Sequence, residues 1–163
     1  MDSDDIWQRD KLQIQIGIMK KNNSFFSHTS FGYIDESGNK IKETFRVSSE
    51  PVTYNSLLKR TEISSITAVY NAHAIGKFYM SRHRTKQDYA LWLSILKSGV
   101  TSYPIDQELG FYRQSKTSVT NKKHKLILKH ILFLKQTQDF NTIEALYYTC
   151  YWMINGFIRH YIK

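Results

Sequence analysis

The chain has 163 residues, enough for one domain or a compact domain with an appendage. Its 41% hydrophobic and 14% aromatic content excludes a disordered segment, and its single cysteine, Cys150, excludes an internal disulfide and fits a reducing compartment. The net charge of +9 is unevenly spread, with nine Lys/Arg against two acids from Arg113 onward (+7), and fourteen against twelve before it (+2). That asymmetry points the C-terminal third at an anionic surface, either acidic lipid or nucleic acid.

In chain order, Asp5 before Ile6-Trp7, with Gln8 three residues on, predicts a capped helix start. Leu12, Ile14, Ile16 and Ile18 alternate as in a strand, while Leu12, Ile16 and Met19 also fit a helix face. The cap and the Gln/Lys content favour a helix ending at Lys20-Lys21-Asn22-Asn23. Ser24 to Ile34 reads as a strand, 35–39 as a turn, and Lys40 to Val47 as its partner strand. Thr53 is placed to cap a short helix through Leu58. The β-branched run from Ile63 to Tyr70 predicts a buried strand, and Ala72 to Lys77 one or two helical turns.

A basic loop, Ser81 to Lys86, precedes a helix over 87–96. Tyr89, Trp92, Leu93 and Leu96 give it one buried face, and Asp88 sits in its first turn, where the helix dipole favours a carboxylate. Val100 to Ile105 and Glu108 to Arg113 read as two short strands joined by a turn. After the polar stretch Ser115 to Asn121 come a helix from Lys122 to Lys135, with Lys122, Lys125 and Lys129 on one face, and the uncharged run Ala145 to Ile158. That run falls short of the roughly 18–20 apolar residues of a membrane span. Its Tyr147, Tyr148, Tyr151 and Trp152 suit either a membrane interface or packing on the domain's own core.

The chemistry-bearing stretch is the start, Met1-Asp2-Ser3-Asp4-Asp5-Ile6-Trp7. Three carboxylates in four positions repel one another unless a cation sits among them, and their hard oxygens suit Mg²⁺ or Mn²⁺. There is no Gly-rich phosphate loop, no zinc-spaced Cys or His pair and no Ser or Cys in a nucleophile setting. Nor does a basic start followed by an apolar run suggest a signal peptide.

Asp2-Ser3-Asp4-Asp5-Ile6-Trp7 with Lys11-Leu12, then Arg84-Thr85-Lys86-Gln87-Asp88-Tyr89-Ala90-Leu91-Trp92-Leu93, then Tyr112-Arg113 with Ser118, resembles the family 2 glycosyltransferases in order and spacing. The resemblance implies an α/β fold: a partial GT-A mixed sheet with flanking helices over residues 1–113, then a basic, amphipathic helical extension over 114–163. It implies an inverting transfer from a nucleotide-diphospho-sugar donor to a glycan or lipid-linked acceptor, as in cell-surface polysaccharide synthesis.

By the same resemblance, Asp2 and Asp4 match the DxD motif that holds Mg²⁺ or Mn²⁺ on the donor phosphates, with Asp5 supporting them or capping a helix. Asp88 matches the general base, and Trp92 and Gln87 would border the acceptor pocket. The family's leading βαβ portion precedes this motif, so the chain reads as the back half of such a domain. The implied location is the cytoplasmic face of the plasma membrane, with peripheral contact to anionic lipid and none expected with nucleic acid. The competing reading is a non-catalytic basic module that docks on anionic membrane or nucleic acid, with the acidic start and Asp88 as helix caps.

Overall fold

The computed structural model describes residues 4–81, 86–114 and 123–161. The chain divides into two compact units, one of Met1–Tyr54 with Glu62–Thr117 and one of Asn55–Thr61 with Ser118–Lys163.

The first unit is mixed α/β. Its sheet has five strands: β1 (Ile6–Trp7), β2 (Phe26–Ile34), β3 (Lys40–Phe45), β4 (Val69–Tyr70) and β5 (Tyr103–Arg113). They lie in the order β1-β5-β2-β3, with β4 also on β2. β2 and β5 run parallel at the centre, and every other pair is antiparallel. β2 is buried along almost its whole length, as expected of a strand covered on both faces. Helices α1 (Lys11–Lys21), α3 (Ala72–Ile75) and α4 (Gln87–Lys97) complete this unit. α2 (Tyr54–Lys59) leads into the second unit, which also holds α5 (Lys123–Gln138) and α6 (Thr142–Tyr161).

Several sequence expectations hold: the hairpin β2–β3, the short helix after Thr53, the single turn after Asn71, and α4 ending at Ser98-Gly99, where Gly99 adopts φ 92°. Others are corrected. Ile6-Trp7 is a strand rather than a helix start, and α1 begins only at Lys11, with no side-chain cap from Asp10. Within α1 the faces are reversed. Lys11 and Gln15 are 0% exposed, whereas Leu12 is 43% exposed, because the buried stripe follows Lys11, Gln15 and Met19 at four-residue steps.

Ile63 to Ala68 forms no strand. Ile63 and Ile66 reach the core from irregular chain, and Thr67 closes a turn on the Ser64 carbonyl through both its N–H and its hydroxyl. The two strands expected between Val100 and Arg113 are one. The polar pair Asp106-Gln107 is a bulge, since Thr29 pairs with Ile105 and the next residue, Ser30, pairs with Glu108. α4 is buried nearly all round, with Leu91 and Ile95 covered as well as the expected face.

α6 starts three residues earlier than the uncharged run. Asn141 and Glu144 form a reciprocal capping box, each side chain accepting the other's backbone N–H at 3.0 and 2.9 Å. Among the described residues no helix is long and apolar enough to cross a membrane.

Candidate active site

The site is built around Arg113, the last residue of β5. β1 pairs antiparallel with β5 in the register Ile6↔Phe111 and Trp7↔Gly110, which, continued toward the end of β5, brings Asp5 to Tyr112 and Asp4 to Arg113. The corner is tied down on both sides. The Trp7 indole donates to the Ile66 carbonyl at 2.8 Å, and the Gln8 amide donates to the Glu108 carbonyl at 2.6 Å. Gly110 allows the close approach, since a Cβ there would stand 3.1 Å from the Ile66 side chain.

Arg113 spreads its donors over two segments. Its Nε donates to the Asp4 carbonyl at 2.8 Å, and its Nη1 donates to the carbonyls of Asp35 and Glu36, both at 2.7 Å. Its backbone N–H donates to the Asp5 carboxylate at 3.0 Å. Asp5 is therefore a partner of the β5 end and not a helix cap.

The guanidinium joins the acidic start of the chain to the β2–β3 turn. In that turn the Asn39 backbone N–H, at 2.8 Å, leads the hydrogen bonds that hold the Asp35 carboxyl below its ordinary pKa. A lysine offers one ammonium and cannot fork in this way. Arg113→Lys is expected to lower unfolding stability by about 1.5–3 kcal/mol, the worth of a hydrogen bond to a charged group. A urea midpoint unchanged from wild type would show that the fork holds nothing.

Under this corner lies a buried polar cluster. The Lys11 ammonium donates to the Gln15 side-chain oxygen at 2.7 Å and stands 4.3 Å above the Trp7 ring. The Gln15 amide donates in turn to the Ser27 hydroxyl and the Thr67 carbonyl, at 3.0 and 2.9 Å. Burial lowers the pKa of Lys11 to about 8. The cluster locks α1 against β2 and the 64–67 turn.

Asp88 occupies the first turn of α4, half-buried, one residue beyond Gln87. Lys86 precedes them in a left-handed conformation (φ 56°). Burial pulls its pKa down to about 8 against the raising influence of the Asp88 carboxylate, which leaves Lys86 cationic at neutral pH. The Gln87 amide donates to the Ser81 carbonyl at 3.1 Å. Trp92, one turn on, is 6% exposed, with its ring 5.7 Å from that of Phe26, so it braces α4 on β2 from within the core.

The structure thus gathers Asp4, Asp5 and Arg113 in one place and Gln87, Asp88 and Trp92 on one helix. No hydrogen bond joins Asp4 or Arg113 to the second group among the described residues. Asp2, the 82–85 part of the basic loop, Ser118 and the stretch from Ser115 to Lys122 lie outside the described residues.

Among the described residues no three Asp, Glu, His or Cys side chains converge on a metal position. The donor set still fits a hard divalent ion that takes most of its ligands from phosphate and water. The Asp4 side chain is exposed while its main chain is held by Arg113, so its carboxylate is open to solvent on an anchored stretch of chain. A recess of about 490 Å³ lies elsewhere in this unit, lined by Ile16, Met19, Phe25 and Tyr70. It adjoins the C-terminal end of α1, roughly 12 Å along the helix from Lys11.

A mixed sheet whose central parallel strand ends on an arginine-pinned acidic turn makes this a partial GT-A-like α/β architecture. The chain is similar to bacterial glycosyltransferases. It is 32% identical over 145 residues to "Putative teichuronic acid biosynthesis glycosyltransferase TuaG" of Bacillus subtilis, covering 89% of this chain and 57% of that protein.

It is also 32% identical over 161 residues to "UDP-Glc:alpha-D-GlcNAc-diphosphoundecaprenol beta-1,3-glucosyltransferase WfgD" of Escherichia coli, covering 98% and 62%. A third relative, the WfaP enzyme of the same description from Escherichia coli, is 31% identical over 163 residues, covering 98% and 62%. The chain spans 57–62% of the length of these relatives. No family model matches it.

Proposed function

We propose that this chain carries the metal-binding and acceptor-side part of an inverting family 2 glycosyltransferase. It would move a sugar from a nucleotide-diphospho-sugar to a lipid-linked glycan acceptor in cell-surface polysaccharide synthesis, at the cytoplasmic face of the membrane. The observation that carries this reading is the exposed Asp4, with Asp5 next to it, pinned to the end of β5 by Arg113, in a chain whose relatives are glycosyltransferases.

Asp4, with Asp2 beside it in sequence, would hold a Mg²⁺ or Mn²⁺ ion, which when bound neutralises charge on the departing diphosphate. Arg113 keeps the Asp4 main chain in place, and Asp5, engaged by the Arg113 amide, supports it. Asp88 is the base. It takes the proton of the acceptor hydroxyl as that oxygen bonds to the sugar C1 and the nucleoside diphosphate leaves from the opposite face. One in-line displacement inverts the anomeric centre and needs no nucleophilic side chain. Gln87 would border the acceptor, and Trp92 would support that wall from beneath.

Calorimetry tests the metal role. Mn²⁺ is expected to bind weakly alone and more tightly with a nucleoside diphosphate, and Asp4→Ala is expected to abolish both. Absence of Mn²⁺ binding with the diphosphate present would remove this reading and leave the non-catalytic basic module.

A further inference from the structure

The second unit presents a helix that is apolar on its outer side. Along α6 the residues turned toward their own unit are small ones and ones that use a polar atom there. Thr149 and Ala145 are buried, Tyr148 OH meets the Asn55 side chain at 3.4 Å, the Trp152 indole donates to Thr61 at 3.0 Å, and the Asn155 amide donates to the Lys59 carbonyl at 3.2 Å. The opposite side is apolar from end to end: Ile143, Leu146, Tyr147, Ile154, Phe157 and Ile158 are all exposed, Ile143 at 80% and Phe157 at 60%.

At 100° per residue these side chains span roughly 120° of the helix circumference, and from Ile143 to Ile158 the band is about 24 Å long. Single exposed apolar side chains need no explanation, but a contiguous band of this size marks a binding surface.

Charge selects the occupant. The second unit holds nine Lys/Arg (Lys59, Arg60 and seven from Ser118 onward) and two acids, Asp139 and Glu144, so it carries +7 of the chain's +9. The Lys59 ammonium stands 4.9 Å from the Tyr151 ring and 5.9 Å from that of Tyr147, at the border of the band. Lys129 and Lys135 are exposed on α5 together with Leu128 and Leu132. A second copy brought against this face would set +7 against +7.

We infer that the outward face of α6, with Lys59 of α2 and Lys135 of α5 beside it, is a seat for an anionic lipid surface, on which the helix lies in the plane of the membrane. Phe157, Ile154 and Ile158 enter the acyl boundary, the tyrosines sit at headgroup depth, and the lysines meet the lipid phosphates. The polar stripe that ties α6 to Asn55, Lys59 and Thr61 keeps the helix on its unit. The surface belongs to this unit alone and stands whether or not the sugar-transfer reading does.

The experiment is flotation of the full chain with vesicles of phosphatidylcholine alone or mixed with phosphatidylglycerol, at low and high salt. Sedimentation equilibrium is run alongside. Flotation with the mixed vesicles at low salt, weakened by salt, is expected. Ile154→Glu with Phe157→Glu is expected to reduce it at least tenfold without changing the unfolding midpoint, since both side chains are exposed.

Lys129→Glu with Lys135→Glu tests the charge without touching the apolar band, and each change is expected to weaken binding to the anionic vesicles roughly fivefold or more. Equal flotation with neutral vesicles, or none at low salt, would overturn the inference. So would a concentration-dependent dimer that the Glu pair dissolves in a chain that ignores vesicles, which would assign the face to a second copy.

Discussion

Replacing Asp88 by Asn is expected to lower sugar transfer by roughly 10²–10⁴-fold, the usual worth of a positioned base. The chain would be assayed within a protein of its relatives' full length. Donor affinity should hardly move, because an amide of the same shape fills the first turn of α4 and the base acts only as the acceptor proton departs. The variant also removes the carboxylate charge that raises the Lys86 pKa, so that ammonium gives up its proton more readily than in wild type. The effect should therefore fall on kcat and kcat/KM together, with KM for the donor unchanged. Turnover like wild type would move the base elsewhere, and a lost donor affinity would make Asp88 a binding residue.

The second large effect is a stability slope with pH, reported by Lys11. This side chain is fully buried, and among the described residues it has no carboxylate partner and its charge is met by the Gln15 oxygen, the Thr67 carbonyl at 3.5 Å and the Trp7 ring. Its pKa falls from 10.5 to about 8. Between those values the unfolded chain still holds a proton that the folded protein has released, so stability rises with pH through the window. Below about 8 both forms carry the proton, and the whole cost of burying the charge remains, roughly 3 kcal/mol at ~1.4 kcal/mol per pH unit.

Lys86, also lowered to about 8, adds a slope of the same sign. A comparison with Lys11→Met cancels it. Taken from pH 7.5 to 10.5, the stability difference between the two proteins should shift by about 3 kcal/mol in favour of wild type. Parallel curves would show that the ammonium is solvated. At neutral pH the variant loses hydrogen bonds but also the buried charge, so its net stability there is expected to change by no more than about 2 kcal/mol.

These two residues were unequally legible in the sequence. Asp88 at a helix start is a local signal, and α4 begins where the spacing of Tyr89, Trp92 and Leu93 places it. The burial of Lys11 is not local. Apolar spacing alone turns Leu12 and Ile16 inward, and only the packing of α1 against Ser27 and the Thr67 carbonyl reverses the helix. The four-residue step from Lys11 to Gln15 was the available signal, since an ammonium and an amide at that spacing can satisfy each other.

Arg113 was visible as part of a motif, but its partners lie 77 to 109 residues away and leave no trace in sequence spacing. The same holds for Asp5, where a capping pattern was real in composition but was outcompeted by pairing with β5. The β5 bulge misled for the opposite reason. Asp106-Gln107 has turn chemistry, and the sheet accommodates it because Asp106 can accept from Ser30 at 2.6 Å and from Arg46 at 3.0 Å.

The pairing of β1 with β5 has a kinetic side. The bond from the Arg113 amide to Asp5 closes a loop of 108 residues, and the parallel pair beneath it, with Ser30 on Asp106, one of 76. By polymer statistics the longer closure alone costs roughly 4 kcal/mol, more than the hydrogen bond that marks it returns. The acidic turn therefore cannot preassemble from its own residues. It exists only once the central strands have brought the two ends of this unit together. A change that loosens β2 from β5, such as a side chain at Gly32, where a Cβ would stand 2.8 Å from the Phe111 ring, would disorder the turn without touching any of its residues.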